Sequence, residues 1–218
     1  MNAMARTQAL SVETLDSIGT PALALDLDRV ERNIARLTRH LDSLGVGFRP
    51  HVKTAKSVDV AERLFPNGRG PITVSTIKEA EYFADAGFTD MTYAVGLAPD
   101  KIARVQALVE RGIDVKVLID TVEQAHALAD AAPSGNMPGV LIEIDCDGHR
   151  GGVVPCDPLL LDIAGILRAG AVDLRGVLTH AGESYNCRNG VGVAEAAGEE
   201  RAAPVAAAGV VRRPGQAA

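Results

Sequence analysis

The strongest constraint on this chain is a rhythm: a short apolar run, a polar turn, a helical pattern closing near glycine, then another short apolar run. The apolar runs are PALALDL (21–27), VGFRPHV (46–52), ITVST (72–76), MTYAV (91–95), DVKVLI (114–119), GVLIEID (139–145) and LRGVLTH (174–180). Between most of them, RVERNIARLTRHLDSLG, SVDVAERLFP, IKEAEYFADAG, DKIARVQALVERG, TVEQAHALADAA and CDPLLLDIAGILRAG carry apolar residues three and four apart. That alternation predicts βα units and a parallel sheet, an α/β fold. An open doubly wound sheet and a (β/α)8 barrel of the TIM type both satisfy it. No G-x-G-x-x-G follows the first run, and no change in connection length marks a switch point, so the barrel is favoured.

The pattern stops at residue 188. Beyond it NGVGVAEAAGEERAAPVAAAGVVRRPGQAA is rich in Ala, Gly and Pro and offers no further strand. AEAAGEERAA is a helix candidate that Pro204 would interrupt, and the last residues read as a flexible tail. The expected organisation is an amino-terminal extension (1–17), a partial barrel (18–188) and a low-complexity tail (189–218). An eight-stranded barrel needs more strands than these runs supply, so the barrel is expected to be incomplete, its late strands missing.

Composition removes several function classes. Hydrophobic residues make up 47% of the 218, enough for a sizeable core. The net charge of -6, with both signs interspersed, offers no basic patch to neutralise phosphates, and no nucleic-acid partner is expected. No run approaches the roughly 20 apolar residues of a membrane span, and the amino terminus lacks the apolar core of a signal peptide, so the chain reads as soluble and cytoplasmic. Cys146, Cys156 and Cys187 form no C-x-x-C pair, which fits a reducing compartment. Cys146 and His149 form one C-x-x-H which, even with Cys156, falls short of a metal-ligand pattern, and no metal site is expected.

Chemistry gathers at strand ends. In RPHVKTAKS (49–57), alternation sends Phe48, Pro50 and Val52 toward the helices and turns Arg49, His51 and Lys53 inward, Lys53 lying nearest the carboxyl-terminal mouth where barrel enzymes place their sites. Inward polar groups need partners or a ligand, and a desolvated lysine can form a Schiff base with an aldehyde. Lys56, past the strand, reads as a solvated lysine. IEIDCDGHRGG (142–152) ends a strand in a glycine-rich turn, where Arg150 could bind an anionic oxygen or simply make a salt bridge. GVLTHAGESYN (176–186) ends at His180, which could stack on a flat ring, move a proton, or be a satisfied structural group. Tyr185 follows.

Together PHVKT, DxDGHRGG and LTHAGESY, in this order and spacing, resemble the fold-type III pyridoxal phosphate enzymes, and more narrowly the D-threonine aldolase and D-serine dehydratase group, whose barrel is similar to the alanine racemase N-terminal domain. TPALALDLDRVERNIARL (20–37) and TVSTIKEAEYFADAGFTDMTYA (73–94) share the resemblance, which spans about residues 18–190. It implies pyridoxal 5'-phosphate held through Lys53 as a Schiff base, with His51 in the pocket, Arg150 on the phenolic oxygen, His180 at the ring face and Tyr185 as a further pocket residue. Catalytic roles fall to Lys53 and His180. Where the group commonly has a second histidine, this chain has Ala55. The implied activity is a lyase on D-β-hydroxy amino acids, aldol cleavage ahead of dehydration. Racemisation, non-catalytic cofactor binding and an inactive fragment are the alternatives. Relatives of full length also carry a phosphate loop, a carboxyl-terminal β domain with divalent-metal ligands, and a homodimeric site; neither that loop nor those ligands are found in 189–218.

Overall fold

The computed structural model describes residues 17–212. The expected extension therefore lies almost wholly outside the described residues, as do the last residues of the expected tail.

Five parallel strands form one sheet in the order of the chain: β1 (Ile72–Val74), β2 (Asp90–Gly96), β3 (Asp114–Ile119), β4 (Gly139–Ile144) and β5 (Leu174–Thr179). The connecting helices are α3 (Ile77–Asp85), α4 (Ile102–Glu110), α5 (Val122–Ala131) and α6 (Leu159–Ala169), preceded by α1 (Leu27–Leu44) and α2 (Val58–Arg63) and followed by α7 (Gly190–Val211). A sheet that always adds its next strand on the same side, through right-handed crossovers, keeps its helices on one face. A doubly wound sheet would reverse direction partway, so the sequential order agrees with an incomplete barrel rather than a switch-point fold.

The core lies between that helical face and the strands. Ile72, Val74, Met91, Val115, Val117, Val140 and Ile142 are buried against Ala80, Phe83, Val105, Leu108, Leu128, Ile163 and Leu167. On the other face, alternation collects polar residues, and at the amino-terminal ends of the strands they form an ionic chain. Arg49 grips Asp90 with two bonds (2.7 and 3.0 Å), Lys116 bridges Asp90 and Asp114, and Arg175 joins Asp114 (2.6 Å) to Asp173 (2.8 Å).

Three of the helices begin at hydroxyl caps: Thr76, Thr121 and Ser57 accept the N–H of Glu79, Gln124 and Val60 and so close the first turns of α3, α5 and α2.

Three expectations fail here. Residues 21–27 form no strand: no neighbouring backbone pairs with them, Leu23 and Leu25 are exposed, and Asp26 instead accepts the Arg29 N–H (3.0 Å) and starts α1. Residues 46–52 make only one bridge, His51 to Thr73, because the chain turns away as soon as Val52 is buried. Residues 190–211 are not a tail or an interrupted helix but the single helix α7, with Pro204 inside it. An interior proline costs about 3 kcal/mol, but the Asn189 cap, buried Ala203, Ala207 and Val211 on one face, and the Arg168 guanidinium on the last carbonyl (2.7 Å) oppose that cost.

Candidate active site

Parallel strands bring all their carboxyl ends to one edge, and the residues singled out above meet there. Lys53 arrives on the segment that runs beside β1. Thr73 N–H bonds the Pro50 carbonyl (2.8 Å) and Val52 N–H bonds the Thr73 carbonyl (3.0 Å), after which the chain turns and leaves Lys53 exposed. His51 supports that turn from below. Its Nδ1 accepts the Lys53 N–H (3.3 Å), so the ring proton belongs on Nε2, which faces Ser75 Oγ at 3.2 Å. Burial and then the Lys53 ammonium hold this imidazole below the ordinary histidine range; Glu79 and the Thr73 backbone pull weakly the other way.

Arg150 sits in the turn after β4. Asp145 accepts the N–H groups of Asp147 (3.2 Å) and Gly148 (2.8 Å), and Asp147 accepts those of His149 (3.2 Å) and Glu183 (2.9 Å), tying this turn to the one after β5. The Glu183 N–H in particular keeps the Asp147 carboxyl below its usual range. Gly152 closes the turn at φ 122°, where a Cβ would stand 2.5 Å from the Asp145 nitrogen, so only glycine fits without backbone movement. Its N–H bonds Asp120 (3.0 Å). Glu143 lies under the same turn, and burial followed by the Asp120 charge raises its carboxyl above the usual range against the pull of Arg150.

His180 follows β5, anchored by the Thr179 hydroxyl on the Ile144 carbonyl (2.6 Å) and by the Ala181 N–H on Glu200 (3.3 Å). A Cβ on Gly182 would lie 3.0 Å from Arg150 Cδ, so the bare glycine lets the arginine stem cross the His180 loop. Burial first, then Arg150 and Lys53, hold the His180 ring below the ordinary range, with Glu200 and Asp147 opposing. Tyr185, 74% exposed, meets the His180 ring edge-on, centroids 6.2 Å apart.

Lys53, His51, Arg150, His180 and Tyr185 therefore share one edge of the sheet. Two neighbouring cations find partners of their own. Arg49 lies at the opposite end of the strands, where the Asp90 carboxylate at the start of β2 holds it with two bonds. Lys56 is exposed to solvent, as expected, and its ammonium also lies 3.0 Å from Glu79 Oε1, whose side chain is 3% exposed. Glu79, Asp120, Glu143 and Glu200 were missed. Thr76-x-x-Glu79 carries a capping pattern that signals the first, whereas Glu200 stands in a stretch whose composition gave no sign of a helix. Among the described residues no group of three His, Cys, Asp or Glu side chains is placed to hold a metal ion, and no helix is long and apolar enough to cross a membrane.

Comparison with known proteins adds an independent line. The model of the family "Alanine racemase, N-terminal domain" matches residues 25–208. D-threo-3-hydroxyaspartate dehydratase from Delftia sp. (strain HT23) is 47% identical over 205 residues, 93% of this chain and 54% of that protein. Its solved structure superposes with a TM-score of 0.86 over 90% of this chain and 52% of that one. D-threonine aldolase from Filomicrobium marinum, 28% identical, gives a TM-score of 0.79 over 90% of this chain and 54% of that one. The chain spans about half the length of the relatives it matches.

Proposed function

The chain belongs to the alanine racemase N-terminal domain family, and from that premise we propose that it serves a pyridoxal 5'-phosphate-dependent lyase acting on small D-β-hydroxy amino acids. The observation that supports the reading is the placement of Lys53, Arg150 and His180 at one end of the strands: Lys53 just past the His51–Thr73 bridge, Arg150 in the turn after β4 and against Gly182, and His180 directly after β5. Dehydration stands ahead of the aldol cleavage placed first on sequence grounds, because the dehydratase relative is 47% identical and the aldolase 28%. The reading includes a cytoplasmic setting, supported by three free cysteines, and a homodimer, supported by family likeness alone.

The donor set fits the cofactor. Lys53 would supply an exposed amine for the aldehyde, Arg150 a cation for the phenolic oxygen, and His180 an imidazole whose pKa burial and then Arg150 and Lys53 lower. The chemistry the cofactor supplies is withdrawal of electrons from a bond at the substrate Cα. The protein's share is positioning and proton control. His51, neutral with its proton on Nε2, holds the Lys53 backbone, and Asp147 and Gly182 fix where Arg150 can reach. A neutral His180 can accept a proton, and Tyr185 covers its edge.

The test is direct. Purified chain titrated with pyridoxal phosphate is expected to gain the visible absorption of lysine-bound cofactor, and Lys53→Ala to lose it, with turnover of D-3-hydroxyaspartate falling about 100-fold or more. Keto acid and ammonia as products would support dehydration; glycine and an aldehyde would turn the reading to aldol cleavage. An absorption band that persists in Lys53→Ala would remove the lysine from the site.

A further inference from the structure

Glu79 is the most deeply buried charged side chain among the described residues, and a helix cap alone does not account for it. Capping occupies one oxygen: Oε2 accepts the Ser75 N–H at 2.8 Å while Thr76 Oγ1 accepts the Glu79 N–H at 3.0 Å. Oε1 accepts no well-aligned hydrogen bond and lies 3.0 Å from the Lys56 ammonium. An uncompensated buried carboxylate is costly. What this one gains is a grip on the Lys53 turn.

The turn has two ends. One is fixed by Val52, buried and bonded to Thr73. The other is Lys56, whose N–H reaches back to the Val52 carbonyl (2.9 Å) and whose φ is 47°. That left-handed conformation disfavours a lysine by about 1 kcal/mol or more, so the turn needs an external hold, and Glu79 supplies it. A second path leads from Glu79 to the same place. Ser75, whose N–H it binds, faces His51 Nε2 through its hydroxyl, and His51 Nδ1 accepts the Lys53 N–H. The carboxylate thus reaches the Lys53 backbone from both sides.

We infer that Glu79, with Lys56 as its partner, is a positioning residue that clamps the turn carrying Lys53 onto the first turn of α3. The inference rests on the reading of Lys53 as the cofactor lysine, and its test separates the two. The variants are Glu79→Gln, which keeps an acceptor for the Ser75 N–H, together with Lys56→Met and Lys56→Arg. Two quantities are measured: amide hydrogen exchange of the cofactor-free protein, and affinity for pyridoxal phosphate.

Glu79→Gln and Lys56→Met are expected to speed exchange at the Lys53 and Lys56 amides about 10-fold, with β3 and β4 amides unchanged. They are expected to weaken cofactor binding by a similar factor, and the double variant to be no worse than Glu79→Gln alone. Lys56→Arg restores both readouts. Native exchange and affinity in both charge-removing variants would overturn the clamp, as would a Lys56→Arg variant as damaged as Lys56→Met. Should Glu79→Gln fail to fold, the Lys56 pair of variants decides alone, since that side chain is half-exposed. If the unaltered protein takes up no cofactor at Lys53, the proposed function fails, while the exchange data still judge the clamp.

Discussion

The two halves of the site are built differently. Arg150 and His180 stand at the ends of β4 and β5, which are paired from Val140–Leu174 to Ile144–Thr179 over a face of buried Val140, Ile142 and Ile144. Lys53 stands on a segment that touches the sheet through one bridge, flanked by a helix α1 that buries no residue. The Lys53 amine is therefore placed by local polar contacts, His51 below and Glu79 beside, whereas its proposed partners are placed by a strand ladder and a core. Local polar contacts open at small cost and a ladder over a core does not. The Lys53 half is the part of the site to yield first.

The largest expected effect on the site itself tests the stiff half. Gly152→Ala puts a methyl group 2.5 Å from the Asp145 nitrogen at a φ of 122°. Neither the turn nor the bridge from Ile144 to Val153 can stay as it is. A loss of about 2–4 kcal/mol in urea unfolding is expected, with Arg150 displaced. A midpoint equal to that of the unaltered protein would mean the turn is looser than its geometry.

A paired truncation sharpens the contrast. Ile142→Ala, at a fully buried position, is expected to cost about 2–5 kcal/mol. Leu41→Ala, on the half-exposed face of α1, is expected to cost under about 1 kcal/mol. Equal losses would show that α1 shares the cooperative core, and the division drawn above would fall.

How far the sequence foretells these halves follows from the same physics. The rhythm of 72–180 is legible because each strand and helix is patterned by the core it shares, so β1 to β5 and α3 to α6 fall where the periodicity puts them. Segments 21–27 and 46–52 carry strand-like composition too, yet a strand exists only with a neighbour to pair with, and pairing is not written in a segment's own residues. The candidates at the strand ends were legible through their position after apolar runs. Glu79 showed only as a capping pattern with Thr76, and Glu200 not at all, since what makes each matter is a partner distant in sequence or α7 itself. Pro204 misled for a related reason: its cost is local, and the contacts of Ala203, Ala207 and Arg168 that oppose it are tertiary.

Acid offers the gentlest way to part the halves, since each holds one histidine whose pKa the fold lowers, chiefly by burial. In the unfolded chain both would take up a proton near pH 6.5 (about the ordinary value). The folded protein binds those protons only at lower pH, so within that interval the unfolded state carries more protons, and stability must rise with pH. The contribution is whole above about pH 6.5 and is lost as pH falls toward the folded values. Glu79 behaves similarly but lower, since its carboxyl is held below the usual range despite its burial, by the Ser75 N–H and then by Lys56; its share is lost only as pH falls through that depressed value. Between about pH 7 and 5 the two histidines are opposed by Glu143, whose carboxyl pKa is raised by burial and then by the Asp120 charge, so that the folded protein keeps a proton there that the unfolded chain has lost. Unfolding midpoints are expected to decline across that window, and His51→Asn and His180→Asn each to flatten the decline. The order of opening is the finer measurement. Protonation of His51 adds charge beside the Lys53 ammonium and removes the Nδ1 acceptor of the Lys53 N–H, so hydrogen exchange at residues 52–56 should quicken before that of β4 and β5. Simultaneous opening of both halves would mean that ladder and turn belong to one cooperative unit, and that Lys53 is held more firmly than its single bridge suggests.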